Sequence, residues 1–190
     1  MRSLLLGAVL AAVVLFLFGF VVWGLMPVDP FSTVSDEPAL SQTLVQVLPA
    51  SGVYLLPDEG DTEEEFAAAT EAMRRGPLAM VFFRREGVEP MAPAVFALGF
   101  LHMFVTALLL GLVLRQAAPA LPSYGARVAF VALLGLTAAV WARLGEPIWW
   151  HFPWGFHLLY FFSDLLSWTL AGLVLARFVR RREPTRLVAA

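Results

Sequence analysis

Hydrophobic residues gather into four long runs, which are separated by stretches rich in proline and charge. The runs cover residues 4–26, 92–114, 128–144 and 154–182, and the last one ends in a cluster of arginines. An α-helix rises 1.5 Å per residue, so about 20 apolar residues cross the hydrocarbon core of a bilayer. The pattern therefore predicts four transmembrane helices, of which the third is the shortest.

A polar segment, residues 27–91, lies between the first two runs and begins with Pro27, Pro30 and Pro38. Its periodicity predicts a short amphipathic helix at 39–48, strands at 53–56 and 79–83, and a helix at 63–75. Thr62 and Glu65 have the spacing of a capping box at the start of that last helix. Two strands alone are marginally stable in water. We therefore expect this unit to pack on the membrane helices or on a partner.

Composition agrees with a membrane protein, since 59% of the 190 residues are hydrophobic and soluble domains are closer to half apolar. The fold class predicted is membrane all-α, with a small α+β loop unit between the first two helices. The domain boundaries predicted are 1–26, 27–91, 92–182 and a tail at 183–190. The chain has no cysteine, which excludes disulfides, thiolate metal ligands and thiol nucleophiles.

The distribution of charge predicts the orientation of the helices. Most acidic residues lie in 27–91, whereas the first residues, the 115–127 loop and the C-terminal end carry arginine. The positive-inside rule then places both termini in the cytoplasm and residues 27–91 in the periplasm. Trp149, Trp150 and Trp154 would form an aromatic belt at the outer interface.

Polar side chains inside the predicted spans are the candidate functional residues. Asp164 lies within the last helix, where a carboxylate must face other helices, a cavity or a partner. His157, Tyr160, Asp164 and Ser167 are spaced so that they share one helical stripe. His102 in the second helix and Asp164 both lie about 13–15 Å below the outer helix ends, at 1.5 Å per residue. The spacing therefore allows a hydrogen bond or ion pair between them.

Four interpretations of this intramembrane polar cluster remain open. It could relay protons in a small transporter, or His102 could ligate the metal of a haem or chlorophyll-type pigment. The stripe could instead hold a lipid or quinone headgroup. The polar residues could also hydrogen-bond one another and fix helix packing. At the outer edge, Arg143 and Glu146 are spaced for a surface ion pair, or Arg143 could contact lipid phosphate.

Two loop segments carry a resemblance to known proteins. LPASGVYLLP at 48–57 and RGPLAMVFFRREGVEPMAPAVF at 75–96 resemble segments of small bacterial inner-membrane proteins of uncharacterised function. Those proteins share an N-terminal anchor, a periplasmic loop of the SGVY type and three further helices. The resemblance implies a bacterial membrane location and brings no known catalytic residues.

We expect a non-enzymatic accessory or scaffold subunit of a larger inner-membrane complex, either respiratory or photosynthetic. The aromatic connection before the last helix and the loop unit would dock other membrane subunits, and no nucleic acid is expected as a partner. No hydrolase, nucleotide-binding or metalloprotease motif occurs in the sequence. The alternative is a stand-alone transporter or a lipid- or quinone-handling protein that uses His102 and Asp164.

Overall fold

The structure, a computed structural model, describes residues 1–27 and 29–179. The predicted 183–190 tail and the arginines at 180–182 lie outside the described residues. The chain divides into two compact units, one formed by Met1–Ser32 with the chain from Met91 onward and the other by Thr33–Pro90. The second unit lies within the polar segment that the sequence predicts at 27–91.

Helices dominate the described residues. In chain order the elements are α1 (Arg2–Phe20), α2 (Glu37–Val47), β1 (Gly52–Leu56), α3 (Glu63–Arg75), β2 (Ala79–Phe83), α4 (Pro93–Ala117), α5 (Tyr124–Ala139), α6 (Gly145–Trp149) and α7 (Trp154–Phe178). Short π-helical segments, Val21–Leu25 and Val140–Leu144, extend α1 and join α5 to α6, and a 3₁₀ turn, Ala118–Ala120, follows α4.

The prediction of four helices able to span a membrane is confirmed. Continuous helical runs that are long and apolar enough cover Arg2–Leu25, Pro93–Ala120, Tyr124–Trp149 and Trp154–Phe178. The chain is therefore a multi-pass membrane protein by the length and composition of its helices.

The third span is longer than the predicted residues 128–144. It begins earlier because the Ser123 side chain caps the helix by accepting a hydrogen bond from the Ala126 backbone N–H at 3.0 Å. It ends later because the π-helical segment carries the chain past Arg143 into α6. The predicted connection at 145–155 shrinks to the few residues between Trp149 and Trp154.

Small residues allow the four long helices to pack closely. Helix α1 packs against both α4 and α7, and α5 packs against α7, whereas α4 and α7 meet over only a short stretch. The fully buried core contains alanines of α1 together with Leu114, Val131 and Leu175. Gly135 of α5 lies directly against the Trp168 side chain of α7.

Side-chain hydrogen bonds fix one end of this bundle, which we call the Ser3 end. The Ser3 hydroxyl donates to the Phe178 carbonyl and the Tyr124 hydroxyl to the Leu173 carbonyl, each at 2.8 Å. Buried Arg127 donates through Nε to the Ala176 carbonyl at 3.3 Å. All three acceptors are carbonyls in the last turns of α7. Two of them, those of Ala176 and Phe178, are among the last four carbonyls of the helix, which have no hydrogen-bond donor within the helix. The opposite end, where Trp23 lies, is called the Trp23 end.

The second unit contains the predicted α+β elements. Strands β1 and β2 pair in antiparallel fashion, with Val53 opposite Phe82. In α3 the predicted capping box is confirmed, because the Thr62 hydroxyl accepts from the Glu65 N–H at 3.2 Å and the Glu65 carboxylate accepts from the Thr62 N–H at 3.0 Å. Hydrogen bonds from the Thr62 side chain and from the Asp61 and Thr62 backbone lower the pKa of Glu65.

Candidate functional site

A cavity of about 290 Å³ lies among the membrane helices, between the Trp23 end and the middle of the bundle. This volume is just below the usual range for small-molecule sites, roughly 300–1,000 Å³. Apolar side chains of α1, α4 and α7 form much of its wall. Polar residues also line it, and these are His102, Thr106, Arg143, Tyr160, Ser163, Asp164 and Ser167.

An ion pair crosses one wall of the cavity. The Arg143 Nε donates to Asp164 Oδ2 at 2.7 Å, and the two side chains are 33% and 32% exposed. The contact that the spacing allows between His102 and Asp164 is not formed, because Asp164 pairs with Arg143 instead. Arg143 likewise forms no ion pair with Glu146, whose carboxylate lies beside His157. Arg143 lies in the π-helical segment Val140–Leu144, where the wider turn departs from the spacing of a regular α-helix on which the Arg143–Glu146 prediction was based.

Aromatic rings extend this ion pair towards α1. The Arg143 guanidinium carbon lies 5.1 Å from the centre of the Tyr160 ring, in the geometry of a cation–π contact. Tyr160 in turn stacks on Trp23, with ring centres 4.8 Å apart and planes 24° apart. Sequence reasoning did not single out Trp23. Its position at the end of an apolar run was the available signal, but such a tryptophan is equally typical of a membrane interface.

His102 reaches the same cavity from α4. Helix counting predicted similar depths for His102 and Asp164, and both side chains line this cavity, although they do not pair. Within residues 1–27 and 29–179 the His102 imidazole makes no hydrogen bond. Its backbone carbonyl accepts from the Thr106 hydroxyl at 3.0 Å. Both ring nitrogens therefore remain available to a ligand.

The predicted stripe on α7 divides into two parts. Tyr160, Asp164 and Ser167 line the cavity, and the Ser167 hydroxyl donates to the Ser163 carbonyl at 2.8 Å. His157 does not line it. Its side chain is 4% exposed, and Nδ1 lies 3.2 Å from a Glu146 carboxylate oxygen.

The surroundings of His157 make it part of the α6–α7 junction. Nδ1 is buried and makes no hydrogen bond to the described residues, although the Glu146 carboxylate lies near it. The Phe152 ring stacks on the imidazole, with ring centres 5.7 Å apart. These contacts give His157 a packing role at the Trp23 end.

The cavity becomes apolar towards the Ser3 end. Its wall there consists of Ala107, Leu110 and Ala171. Beyond them the fully buried side chains Leu114 and Leu175 fill the bundle. In the part of the chain that the structure describes, the polar lining thus stops near the middle of the helices.

The tryptophans predicted to form an interface belt lie at the Trp23 end of the bundle. Trp149, Trp150 and Trp154 are all exposed. Among the described residues, no group of three or more His, Asp or Glu side chains is arranged to hold a metal ion.

Comparison with known proteins adds no family to this description. No protein-family model matches the chain, no curated protein matches it, and no solved structure matches it. The fold and the cavity therefore define a class only: a multi-pass α-helical membrane protein with a partly polar cavity between its helices.

Proposed function

We propose that this protein binds an amphipathic lipid-like molecule, with the polar head in the cavity and the apolar chain along the helices. The observation that carries this proposal is the Arg143–Asp164 ion pair in the wall of a cavity between membrane helices. Charged side chains are costly in hydrocarbon and usually mark functional sites there.

Unpaired polar groups around the ion pair support the proposal. Arg143 donates to Asp164 only through Nε, and its two Nη groups have no hydrogen-bond partner among the described residues. The Tyr160 hydroxyl and the His102 imidazole are likewise without one. Polar groups in a water-poor environment lose several kcal/mol when unpaired. A bound headgroup would supply partners to all three.

Two other interpretations of the cluster have less support. A proton relay needs polar groups that continue through the bundle, and the packing around Leu114 and Leu175 interrupts them. A purely structural role accounts for the Arg143–Asp164 contact. It does not account for the unpaired donors on Arg143, Tyr160 and His102.

The orientation in the membrane is part of the proposal. We infer a bacterial inner membrane, both termini in the cytoplasm and residues 27–91 in the periplasm, which puts the cavity in the outer half of the bilayer. Arg115 and Arg127 support this, because both lie towards the Ser3 end.

The chain has no cysteine, so the single substitutions Ser41→Cys and Ser123→Cys can report on which side of the membrane each residue lies. A membrane-impermeant maleimide should label intact cells at Ser41→Cys only, and the reverse pattern would contradict this orientation.

The accessory-subunit role in a respiratory or photosynthetic complex remains a prediction, as does ligation of a pigment by His102. Exposed Trp149 and Trp154 would suit a docking surface, but they suit a membrane interface equally well. Mild extraction from native membranes separates the cases. Stoichiometric partners would favour the accessory role, and a visible absorption band that disappears in His102→Ala would favour a pigment.

Two matched threonines provide the test of ligand binding. The Thr106 and Thr137 hydroxyls each donate to the carbonyl four residues earlier, at 3.0 Å and 2.9 Å. Thr106 lines the cavity, whereas Thr137 is exposed on α5. Phenylalanine at either position removes the same hydrogen bond and adds the same volume. Thr106→Phe alone therefore fills the cavity.

Lipids that remain with the protein after extensive washing are measured by mass spectrometry. We expect one species enriched in the wild type and in Thr137→Phe, and reduced about tenfold in Thr106→Phe, which corresponds to roughly 1.4 kcal/mol of binding free energy. Equal retention of every lipid by the three proteins would contradict the proposal.

A further inference from the structure

We propose further that the head of the bound molecule is uncharged and carries carbonyl or hydroxyl oxygens, as in a quinone or a neutral acylglycerol. This inference rests on the proposed function and narrows the ligand class. It excludes phosphate-bearing phospholipids as the preferred ligand.

The charges in the cavity wall balance one another, which favours an uncharged head. Among the described residues that line the cavity, Arg143 is the one arginine or lysine and Asp164 is the one aspartate or glutamate. Their charges cancel across a 2.7 Å contact. A phosphate would add a net negative charge to a membrane cavity or displace Asp164 from Arg143, and both are costly. An uncharged head avoids both costs.

The hydrogen-bonding groups in the cavity favour a head that carries oxygen atoms. The Nη groups of Arg143 can only donate, the Tyr160 hydroxyl can donate or accept, and the His102 imidazole offers two ring nitrogens. Arg143 and Tyr160 belong to the third and fourth spans, whereas His102 belongs to α4. A head with oxygen atoms at two positions would accept from both walls at once. This arrangement suits carbonyl or hydroxyl oxygens without requiring a charge.

The shape of the cavity favours an amphipathic ligand, with its head at one end and its apolar part at the other. Its wall on α7 extends from Tyr160 to Ala171, which is roughly 16 Å along the axis at 1.5 Å per residue. The stacked Trp23 and Tyr160 rings provide a flat surface at the polar end. Ala107 and Ala171 provide an apolar surface at the other end. A planar or compact head followed by an apolar chain fits this order of surfaces.

Competition among three short-chain probes tests the inference on the purified full-length protein in detergent. Decylubiquinone is the quinone probe, dioctanoylglycerol the neutral acylglycerol, and dioctanoyl phosphatidylglycerol the anionic phospholipid. Binding is followed by tryptophan fluorescence, because Trp23 and Trp168 line the cavity and quinones quench indole emission. The other two probes are measured by displacement of the quinone and by calorimetry.

We expect at least one uncharged probe to bind the wild type about tenfold or more tightly than the phosphatidylglycerol. The relative affinities of decylubiquinone and dioctanoylglycerol then identify the source of the shared oxygen chemistry. Asp164→Asn leaves Arg143 uncompensated and should raise the affinity for phosphatidylglycerol about tenfold. Glu146→Gln is the matched control, since it removes a carboxylate near the Trp23 end that does not line the cavity, and it should leave the order of affinities unchanged.

The failures of the two proposals are distinguishable. Wild-type binding of phosphatidylglycerol as tightly as the uncharged probes would overturn the uncharged head while leaving lipid binding intact. Absence of binding by all three probes, in the detergent and by calorimetry, would overturn lipid binding as well. The relative affinities of the wild-type protein for the three probes test the inference of an uncharged head even if Asp164→Asn does not fold.

Discussion

Arg143 and Asp164 join the third and fourth membrane spans through a contact of 2.7 Å between Nε and Oδ2. The same guanidinium lies over the Tyr160 ring, which stacks on Trp23 of the first span. Contacts that run from Arg143 through Tyr160 to Trp23 therefore connect three spans, and Arg143 and Tyr160 both line the cavity. The ion pair both holds the helices together and presents donors to a ligand.

Removing one member of this ion pair should harm the protein more than removing both. Arg143→Gln or Asp164→Asn leaves an uncompensated charge between helices, whereas the double variant leaves none. We expect the double variant to be more stable than the sum of the single effects implies, by a coupling energy of about 1–3 kcal/mol. Unfolding of the four proteins in detergent measures it. Additive effects would show that the contact does not stabilise the bundle.

Gly135 should be intolerant of even one added methyl group. A Cβ at this position would overlap the Cβ and Cγ of Trp168, whereas a Cβ at Gly99 of α4 meets no atom within 4 Å. We expect Gly135→Ala to destabilise the protein by about 1–3 kcal/mol. Gly99→Ala should be neutral or stabilise it by up to about 1 kcal/mol through helix propensity. Thermal unfolding compares the pair, and equal effects would rule out close α5–α7 packing.

The cap of α3 should make the loop unit sensitive to acid. Hydrogen bonds from Thr62 and Asp61 lower the pKa of Glu65 below its ordinary value of 4.5. The folded state therefore gains stability from ionised Glu65 above that value, and the gain is lost as pH falls through the lowered pKa. We expect protection of α3 amides from hydrogen exchange, corrected for intrinsic rates, to decrease as pH falls below about 4.

Two variants isolate the contribution of Glu65. Glu65→Gln keeps a side-chain acceptor but cannot titrate, so its α3 protection should depend less on pH than that of the wild type. Glu64→Gln removes a neighbouring carboxylate that makes no hydrogen bond to the described residues, and it should behave as the wild type does. Identical pH profiles for both variants would show that the cap is not the cause.

Local sequence signals predicted most of the fold. Apolar runs of sufficient length predicted all four spans, because the length needed to cross a bilayer is set by helix geometry. In the loop unit, α3 and β2 have the predicted bounds, since Thr62, Glu65 and Gly76 act on their own neighbourhood. The pairing of Val53 with Phe82 was not predicted, because it depends on contacts between distant residues.

The site was predicted only in part. Helix counting placed His102 and Asp164 at similar depths, and both line the cavity. It could not identify Arg143 as the partner of Asp164, because a regular helix would have directed Arg143 elsewhere. A π-helical segment depends on tertiary contacts between helices. The residue types in Val140–Leu144 therefore do not predict one. The contribution of Trp23 was missed because a tryptophan at the end of an apolar run is equally typical of a membrane interface.

Photolabelling tests the central claim, ligand binding in the cavity, most directly. The full-length protein in native-lipid nanodiscs is irradiated with a photoreactive quinone or diacylglycerol, and the labelled residues are mapped by mass spectrometry. We predict that at least one probe labels the cavity walls around Met103 and Ser167, and that excess unlabelled compound prevents the labelling. Labelling that is spread over exposed residues on the outside of the bundle, such as Leu101 and Leu133, without competition, would contradict the claim.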